Sequence, residues 1–320
     1  MPAAVLATVI VPTRNRRAQL ERALRSVLAQ DRTDWEAIVV DDGEGEGIEV
    51  AASLADPRVT AVPNAGRGVA DARSTAIERA RGELLCWLDD DDWWDDPGHL
   101  ALVAREAAAG ASFLYRGGWI VHEPGGAREP FDHDATAGSL RRDNTVLTSS
   151  LAYRAELHVT VGPLDRAAGG YCDWDFMVRM CDAGHEPRKL PGLGVCYSVH
   201  DESLSASVDA PARVRGFEHF ARKHGLDIVL SNHVGIHRER MSTPEGWSEV
   251  DGALEREFRF ESFRAAIAFV ERVAELAEDA NHHPDIRVSY DRVTLRWWTH
   301  TAGGITERDR ELAAGSAALA

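Results

Sequence analysis

Three imidazoles and a run of six carboxylates are the groups in this sequence whose type and spacing could do chemistry. The imidazoles come late: His282-His283-Pro284, a stretch of alternating residues, then Thr299-His300, with Asp309 soon after. A side chain with an unperturbed pKa near ~6.5 both gives and takes a proton at neutral pH. The residues between the imidazoles read as a strand from Asp285 through Tyr290, a turn near Asp291-Arg292, and a returning strand from Val293 to Thr299. Legs of roughly six to eight residues, at ~3.3 Å each, bring His300 back beside His282 and His283. One pocket with three ring nitrogens is therefore expected. Zinc could use three histidines, but an adjacent pair lacks the usual i, i+4 spacing, so acid/base chemistry is the favoured reading.

The carboxylates follow an apolar run at Glu83–Leu88, where Asp89 to Asp92, Asp95 and Asp96 crowd six acids into eight positions. Carboxylates this close raise one another's pKa unless a cation or hydrogen bonds compensate. In an open α/β sheet, ligands sit at the carboxyl ends of strands. Asp41-Asp42-Gly43 ends a second strand at the same edge. A divalent ion held by these oxygens would bind a diphosphate, because Mg²⁺ and Mn²⁺ prefer carboxylate, phosphate and water. The alternative is a solvated acidic loop.

Two kinds of element must position these groups. Apolar strands at Val5–Val11, Trp35–Val40, Val59–Val62 and Glu83–Leu88 alternate with helical patterns at Arg16–Gln30, Glu49–Leu54 and Val69–Ala80. That alternation predicts a mainly parallel α/β sheet. After loops at Gly117-Gly118 and Pro124-Gly125-Gly126, a helix begins near Asp173 and another covers about Ala210–Lys223. The periodicity changes after Gly246. Trp247–Phe260 reads as a hairpin, Glu261–Ala280 as a helix, Ile286–Thr299 as a second hairpin and Glu307–Ala318 as a last helix. The expected organisation is an α/β domain over 1–230, a polar linker over 231–245 and a small α+β domain over 246–320.

Composition narrows the function classes. With 52 Asp and Glu against 36 Lys and Arg, the net charge of −16 argues against nucleic acid or an anionic membrane as the main partner. No apolar stretch is long enough to span a membrane, and the start lacks the basic region and apolar core of a signal peptide. Four cysteines without CxxC spacing fit a reducing cytoplasm better than a disulfide framework.

The N-terminal residues carry a resemblance. Val9–Asn15 (VIVPTRN), Ser26–Gln30, Ile38–Gly43 (IVVDDG), Asn64-Ala65-Gly66 with Ala72-Arg73, Arg81–Trp94, Gly162, Gly170-Tyr171, Asp173-Trp174-Asp175 and His200–Ser205 together resemble family 2 glycosyltransferases of the GT-A fold. The resemblance implies that Pro12, Thr13, Asp41, Asp42, Arg73, Asp89 and Asp90 bind the nucleotide sugar, with Asp42 and Arg73 on the nucleotide and Asp89 near the ribose. It implies that Asp91, with His200 close by, holds Mn²⁺ or Mg²⁺. Asp173 occupies the place of the base that deprotonates the acceptor in an inverting transfer. As a first-turn acid it would equally serve its helix dipole. The sequence departs from the family at Arg14 (usually Tyr), Ser74 (usually Asn) and Cys172 (usually Glu), the last being a change next to the expected base.

The C-terminal residues resemble another family. Trp247, Leu254, Phe258, Phe260, Phe263, Phe269, Glu278, His282-His283-Pro284, Tyr290, Val293, Thr299-His300, Gly304-Ile305-Thr306 and Asp309 match the pterin-4a-carbinolamine dehydratases in order and spacing. The resemblance implies dehydration of a 4a-hydroxytetrahydropterin without a metal. His282 and His300 would be the acid/base pair, His283 would orient the pterin, and Glu278 and Asp309 would support them. Thr306-x-x-Asp309 also has the form of a capping box, and Asp309 can do both jobs. In the helix before the histidines, Phe263, Ile267, Val270, Ala274 and Ala277 form one apolar stripe, and Phe269, Val273 and Leu276 another. One stripe covers the domain's own sheet; the second suits a partner copy, so a homo-oligomer is expected. A bifunctional enzyme results. The alternatives are a transferase with a dimerising tail, or a dehydratase with a non-catalytic nucleotide-binding domain.

Overall fold

The computed structural model describes residues 5–200, 210–228, 230–300 and 303–320. The chain divides into two compact units, Met1–Ile236 and His237–Ala320.

In the first unit, strands β1 (Ala7–Thr13), β2 (Trp35–Asp41), β3 (Val59–Pro63) and β4 (Leu84–Trp87) alternate with helices α1 (Arg17–Leu28), α2 (Glu46–Leu54) and α3 (Val69–Ile77). They pair in parallel in the order β3-β2-β1-β4. The sheet continues with β5 (Trp93–Trp94), β6 (Phe113–His122), β7 (Ala127–Phe131), β8 (Ala152–Arg154) and β9 (Pro187–Val199), in the order β4-β8-β6-β9-β5 with β7 beside β6. Helices α4 (His99–Ala108), α5 (Leu157–Thr160), α6 (Cys172–Asp182) and α7 (Pro211–His224) complete the layers.

Both sheet faces are covered, and the alternation of a strand sorts its residues between two cores. Val9 and Val11 pack with Leu20, Leu24 and Val27 of α1 on one side. Ile10, Val40, Leu85 and Trp87 pack with α3 and α6 on the other. In α1 the buried residues Leu20, Ala23, Leu24 and Val27 fall at helical spacing, which fixes the face the helix presents to the sheet. This architecture is the GT-A type α/β layer expected from the sequence. The carboxyl ends of β1, β2 and β4 lie side by side, so Thr13, Asp41 and the Asp89–Asp92 run share one edge. Gly47 lets the start of α2 approach that edge, since a Cβ there would sit 2.6 Å from the Thr13 methyl and 3.1 Å from an Asp41 oxygen.

Residues 233–241, inside the stretch read as a linker, form a helix, α8 (His233–Met241). The second unit follows as an antiparallel sheet in the order β10-β11-β13-β12, built from β10 (Ser248–Val250), β11 (Ala253–Arg259), β12 (Asp285–Ser289) and β13 (Arg292–Trp297). Helices α9 (Phe263–Ala280) and α10 (Glu307–Ala318) accompany it. Ser262 caps α9 by accepting from the Ala265 amide at 3.2 Å, and Asn281 ends it in the left-handed conformation, φ 45°. The buried seam of α9 is Ala266, Phe269, Val273 and Ala277; Ala277 joins this seam rather than the outward stripe, where Phe263 is 52% exposed. Phe269 meets Phe258 and Phe260 with ring centroids 4.8 and 4.9 Å apart. Phe269→Ala is expected to cost about 3–5 kcal/mol. In a unit this small, that would show as collapse of hydrogen-exchange protection across residues 247–320, with residues 5–200 unaffected.

Candidate active sites

At the strand ends of the first unit, each carboxylate has a distinct set of partners. Asp41 is occupied by the backbone, accepting from the Gly43 and Gly47 amides at 2.7 Å each, so it shapes the turn into α2. Asp42 accepts from Asn64 Nδ2 at 2.7 Å and the Gly68 amide at 3.0 Å, tying β2 to the start of α3. Asp89 accepts from Arg73 at 2.7 Å. Asp90 accepts from Thr13 Oγ1 at 2.7 Å and from Arg16 at 3.1 Å. Asp91 Oδ2 faces Arg16 at 2.7 Å and His200 Nε2 at 3.1 Å. Asp92 points inward, accepting from Ser149 Oγ and from the Ser198 amide at 2.8 Å. Pro12, half-buried, precedes Thr13 in β1.

Crowding and burial together perturb these acids. Burial, reinforced by Asp91, pushes Asp90 up to about 6 against the pull of Arg16 and Thr13. Asp89 is also raised by burial, with Arg73 opposing. Asp92 is driven well above the usual carboxylate range by burial and then by Asp91 and Asp89. The hydrogen bond to Asp91 raises His200, favouring its cationic form. Arg16, absent from the sequence expectations, is thus a compensating cation of the cluster. The signal for it was present: a basic residue in the loop leaving β1, at the edge where the acids gather.

Asp173 is buried in the first turn of α6 and accepts from Thr148 Oγ1 at 2.6 Å. Cys172 sits with Sγ 3.6 Å from an Arg73 nitrogen, and burial pushes its thiol up to about 11, so it is neutral there. Ser74 donates to the Ala70 carbonyl at 2.8 Å, and Arg14 is exposed. Of the family resemblance, residues 201–205 lie outside the described residues. Among the described residues, no three His, Cys, Asp or Glu side chains gather into a complete metal centre. Asp91 and His200 converge as a carboxylate–imidazole pair, a donor set that fits a divalent ion once His200 gives up the proton it directs at Asp91, the remaining ligands coming from a diphosphate and water.

The second unit builds its site around Asp309. This carboxylate is fully buried and accepts from His282 Nε2 at 2.7 Å, Thr299 Oγ1 at 2.8 Å, and both the amide and hydroxyl of Thr306 at 2.7 Å. Burial alone would raise Asp309, but the bonds from His282, Thr306 and Thr299 outweigh it and hold the carboxyl below its usual range. An ionised carboxylate only accepts, so His282 carries a proton on Nε2 and Nδ1 is the nitrogen left for chemistry. The His282 ring stacks on Trp297 at 5.7 Å and 17°. Trp297 is itself held by donating to Ser316 Oγ at 3.2 Å.

The hairpin register ends at the Asp285–Arg296 pair, with His282 and His283 just before the first strand and His300 just after the second. All three imidazoles therefore belong to the open end of one hairpin. Trp298 donates to Asp285 at 3.3 Å and its ring lies 3.9 Å from that of His300. His283 pairs with Glu278 at 3.2 Å, both exposed. Thr306 and Asp309 form the capping box of α10, and the same Asp309 holds His282. The partners that sequence reading did not single out are Trp297, Thr148 and Ser149, whose roles arise from distant elements.

The comparisons with known proteins follow this division. The glycosyl transferase family 2 profile matches residues 8–146, and the pterin 4 alpha carbinolamine dehydratase profile matches residues 235–319. The uncharacterized glycosyltransferase YwdF of Bacillus subtilis is 29% identical over 239 residues, covering 72% of this chain and 88% of YwdF. A pterin-4-alpha-carbinolamine dehydratase relative from Thermomicrobium roseum is 59% identical over 75 residues, covering 23% of this chain and 81% of its own. By fold, the chain is similar to Staphylococcus aureus TarS, solved with UDP-GlcNAc (TM-score 0.53, 16% identity, 74% of this chain and 70% of that one). It is also similar to the mannosyltransferase PcManGT of Pyrobaculum calidifontis, solved with GDP-Man and Mn²⁺ (TM-score 0.51, 23% identity, 68% and 64%). The second unit belongs to the pterin-4a-carbinolamine dehydratases, and the first is similar in sequence and fold to the family 2 glycosyltransferases. No helix among the described residues is long and apolar enough to cross a membrane.

The Asp309 geometry carries a pH dependence. Its pKa is depressed in the folded state, so the stabilisation it gives is present above the unfolded carboxylate value near ~3.9 and is lost as pH falls through the lower folded value. Asp309→Asn is expected to destabilise the second unit by about 1.5–3 kcal/mol at pH 7. It should also flatten the acid limb of that unit's stability curve, read by hydrogen exchange of residues 247–320 from pH 7 downward.

Proposed function

We propose that the chain is bifunctional: the second unit dehydrates a 4a-hydroxytetrahydropterin, and the first transfers a glycosyl group from a nucleotide sugar. The observation that carries the first activity is the His282–Asp309 pair, a positioned imidazole backed by a buried carboxylate. Loss of water requires a proton delivered to the departing 4a-hydroxyl and a proton removed from the ring nitrogen N5. His282, through Nδ1, and His300 are assigned to these transfers. Asp309 fixes the His282 tautomer, and Trp297 holds the ring flat. His283 and Glu278, solvent-facing, orient the pterin. Each positioned proton transfer is worth ~10²–10⁴ in rate. His282→Ala with His300→Ala should therefore reduce dehydration, followed as decay of the 4a-hydroxypterin absorbance, to the uncatalysed rate. Wild-type turnover in that double variant would remove the assignment.

The transferase reading is carried by the carboxylate edge formed by Asp42, Asp89, Asp90 and Asp91. Asp42 and Arg73 bind the nucleotide, with Asp89 near the ribose; Pro12, Thr13, Asp41 and Asp90 shape the pocket around them. Asp91 and His200 would hold a divalent ion, which would neutralise the departing diphosphate. Asp173 takes the acceptor hydroxyl proton as the oxygen attacks the anomeric carbon, while Thr148 holds its other oxygen. Exposed Phe263 on the outward face of α9 supports self-association through the second unit. Asp91→Ala should abolish Mn²⁺-supported hydrolysis or transfer of a nucleotide sugar and leave pterin dehydration untouched. Metal-stimulated turnover that survives Asp91→Ala would overturn the metal assignment.

A further inference from the structure

Arg73 is held in an unusual way for a buried cation. Its side chain is nearly sealed from solvent, yet among the described residues only one of its nitrogens reaches a carboxylate, Asp89 at 2.7 Å. Among the same residues a second nitrogen meets only the weakly accepting Cys172 sulfur at 3.6 Å, and Nε has no hydrogen-bond partner. What supports the rest of the guanidinium is the face of Trp87, with Cζ 4.3 Å from the ring centroid. The orientation of that indole is fixed in turn. Trp87 Nε1 donates to the Tyr153 hydroxyl at 3.1 Å, and Tyr153 OH lies 2.8 Å from His158 Nε2.

The direction of each bond follows from the indole. Trp87 Nε1 only donates, so the Tyr153 oxygen accepts there and passes its own proton toward His158. His158 then accepts on Nε2 and carries its hydrogen on Nδ1. Its ring lies flat on Phe176, with centroids 4.6 Å apart and planes at 11°. Burial lowers His158 to about 4, so it stays a neutral acceptor at working pH. From the outside, a cavity of about 180 Å³ bounded by Ser74, Ile77, Glu78, Pro163 and Leu164 reaches His158.

We propose that His158, Tyr153 and Trp87 form a positioning relay that orients Arg73 for the nucleotide, a role that rests on reading the first unit as a nucleotide-sugar transferase. None of the three touches the reacting atoms. Each hydrogen bond polarises the next, and removing any link leaves a buried donor or acceptor unpaired and the indole free to turn.

The test uses the full chain and titrates UDP and GDP, each with Mn²⁺, by calorimetry. Tyr153→Phe keeps the packed ring and deletes both bonds, and should weaken the nucleotide that binds by about tenfold, the effect of one lost buried hydrogen bond. His158→Ala should weaken it similarly, and added imidazole, entering through the cavity, should restore affinity. That rescue separates positioning from general damage to the core: a loss that imidazole does not reverse overturns the relay. Arg73→Ala distinguishes the two levels of inference. If Arg73→Ala weakens binding while Tyr153→Phe and His158→Ala bind as the wild type does, the relay fails alone. If neither nucleotide binds the wild type, or Arg73→Ala is without effect, the underlying transferase reading fails instead.

Discussion

A carboxylate taken out of water must be given donors or a cation in return, and both units are organised by that constraint. Asp309 is the simplest case. Its four donors come from the end of α9, the end of β13 and the start of α10, so satisfying one charge fixes three elements. The donor from the end of α9 is His282. Local helix capping and the orientation of the imidazole are thus one interaction, and the capping reading and the catalytic reading of Asp309 are not rivals.

The first unit answers the same constraint with more charges and less complete compensation. Asp41 and Asp42 are held by backbone amides and the Asn64 side chain, which braces the edge, whereas Asp92 stays well above the usual carboxylate range despite its bonds from Ser149 and the Ser198 amide. Asp89, Asp90 and Asp91 depend instead on two arginines, Arg73 and Arg16, and on His200. Asp89 and Asp90 remain raised despite those cations. An edge of this kind has electrostatic room for further positive charge, which is what a divalent ion would supply. Replacing glutamate with Cys172 lowers the negative charge beside Arg73 by one, because the buried thiol stays protonated. That leaves Arg73 more reliant on the Trp87 face than a second carboxylate would.

Much of this was legible in the chain itself. The alternation of apolar strands and amphipathic helices specifies the parallel core, because a strand buried on both faces must be apolar throughout. The second hairpin was legible from period-two alternation between two histidine clusters, and its register places both clusters at one end. The capping box was readable because its two members are three residues apart. Helix α8 was not, since its surface is polar on most sides and lacks a clear apolar stripe. The seam of α9 was only partly readable: two adjacent stripes satisfy the same periodicity, and the sheet selects Ala266, Phe269, Val273 and Ala277.

Sequence alone therefore determined which chemical groups are present, which strand ends and hairpin ends bear them, and which two families they resemble. These are properties of spacing along the chain. The tertiary structure decided how the charges are shared: that Arg16 enters the acid cluster, that Asp41 is spent on backbone amides, that Trp297 lies under His282, and that Arg73 rests on an indole tied through Tyr153 to His158. The Arg16–Asp91 and Trp87–Tyr153 pairings join residues 75 and 66 positions apart. No local pattern encodes them, because they exist only once burial has removed water and each polar group must find its partner within the fold.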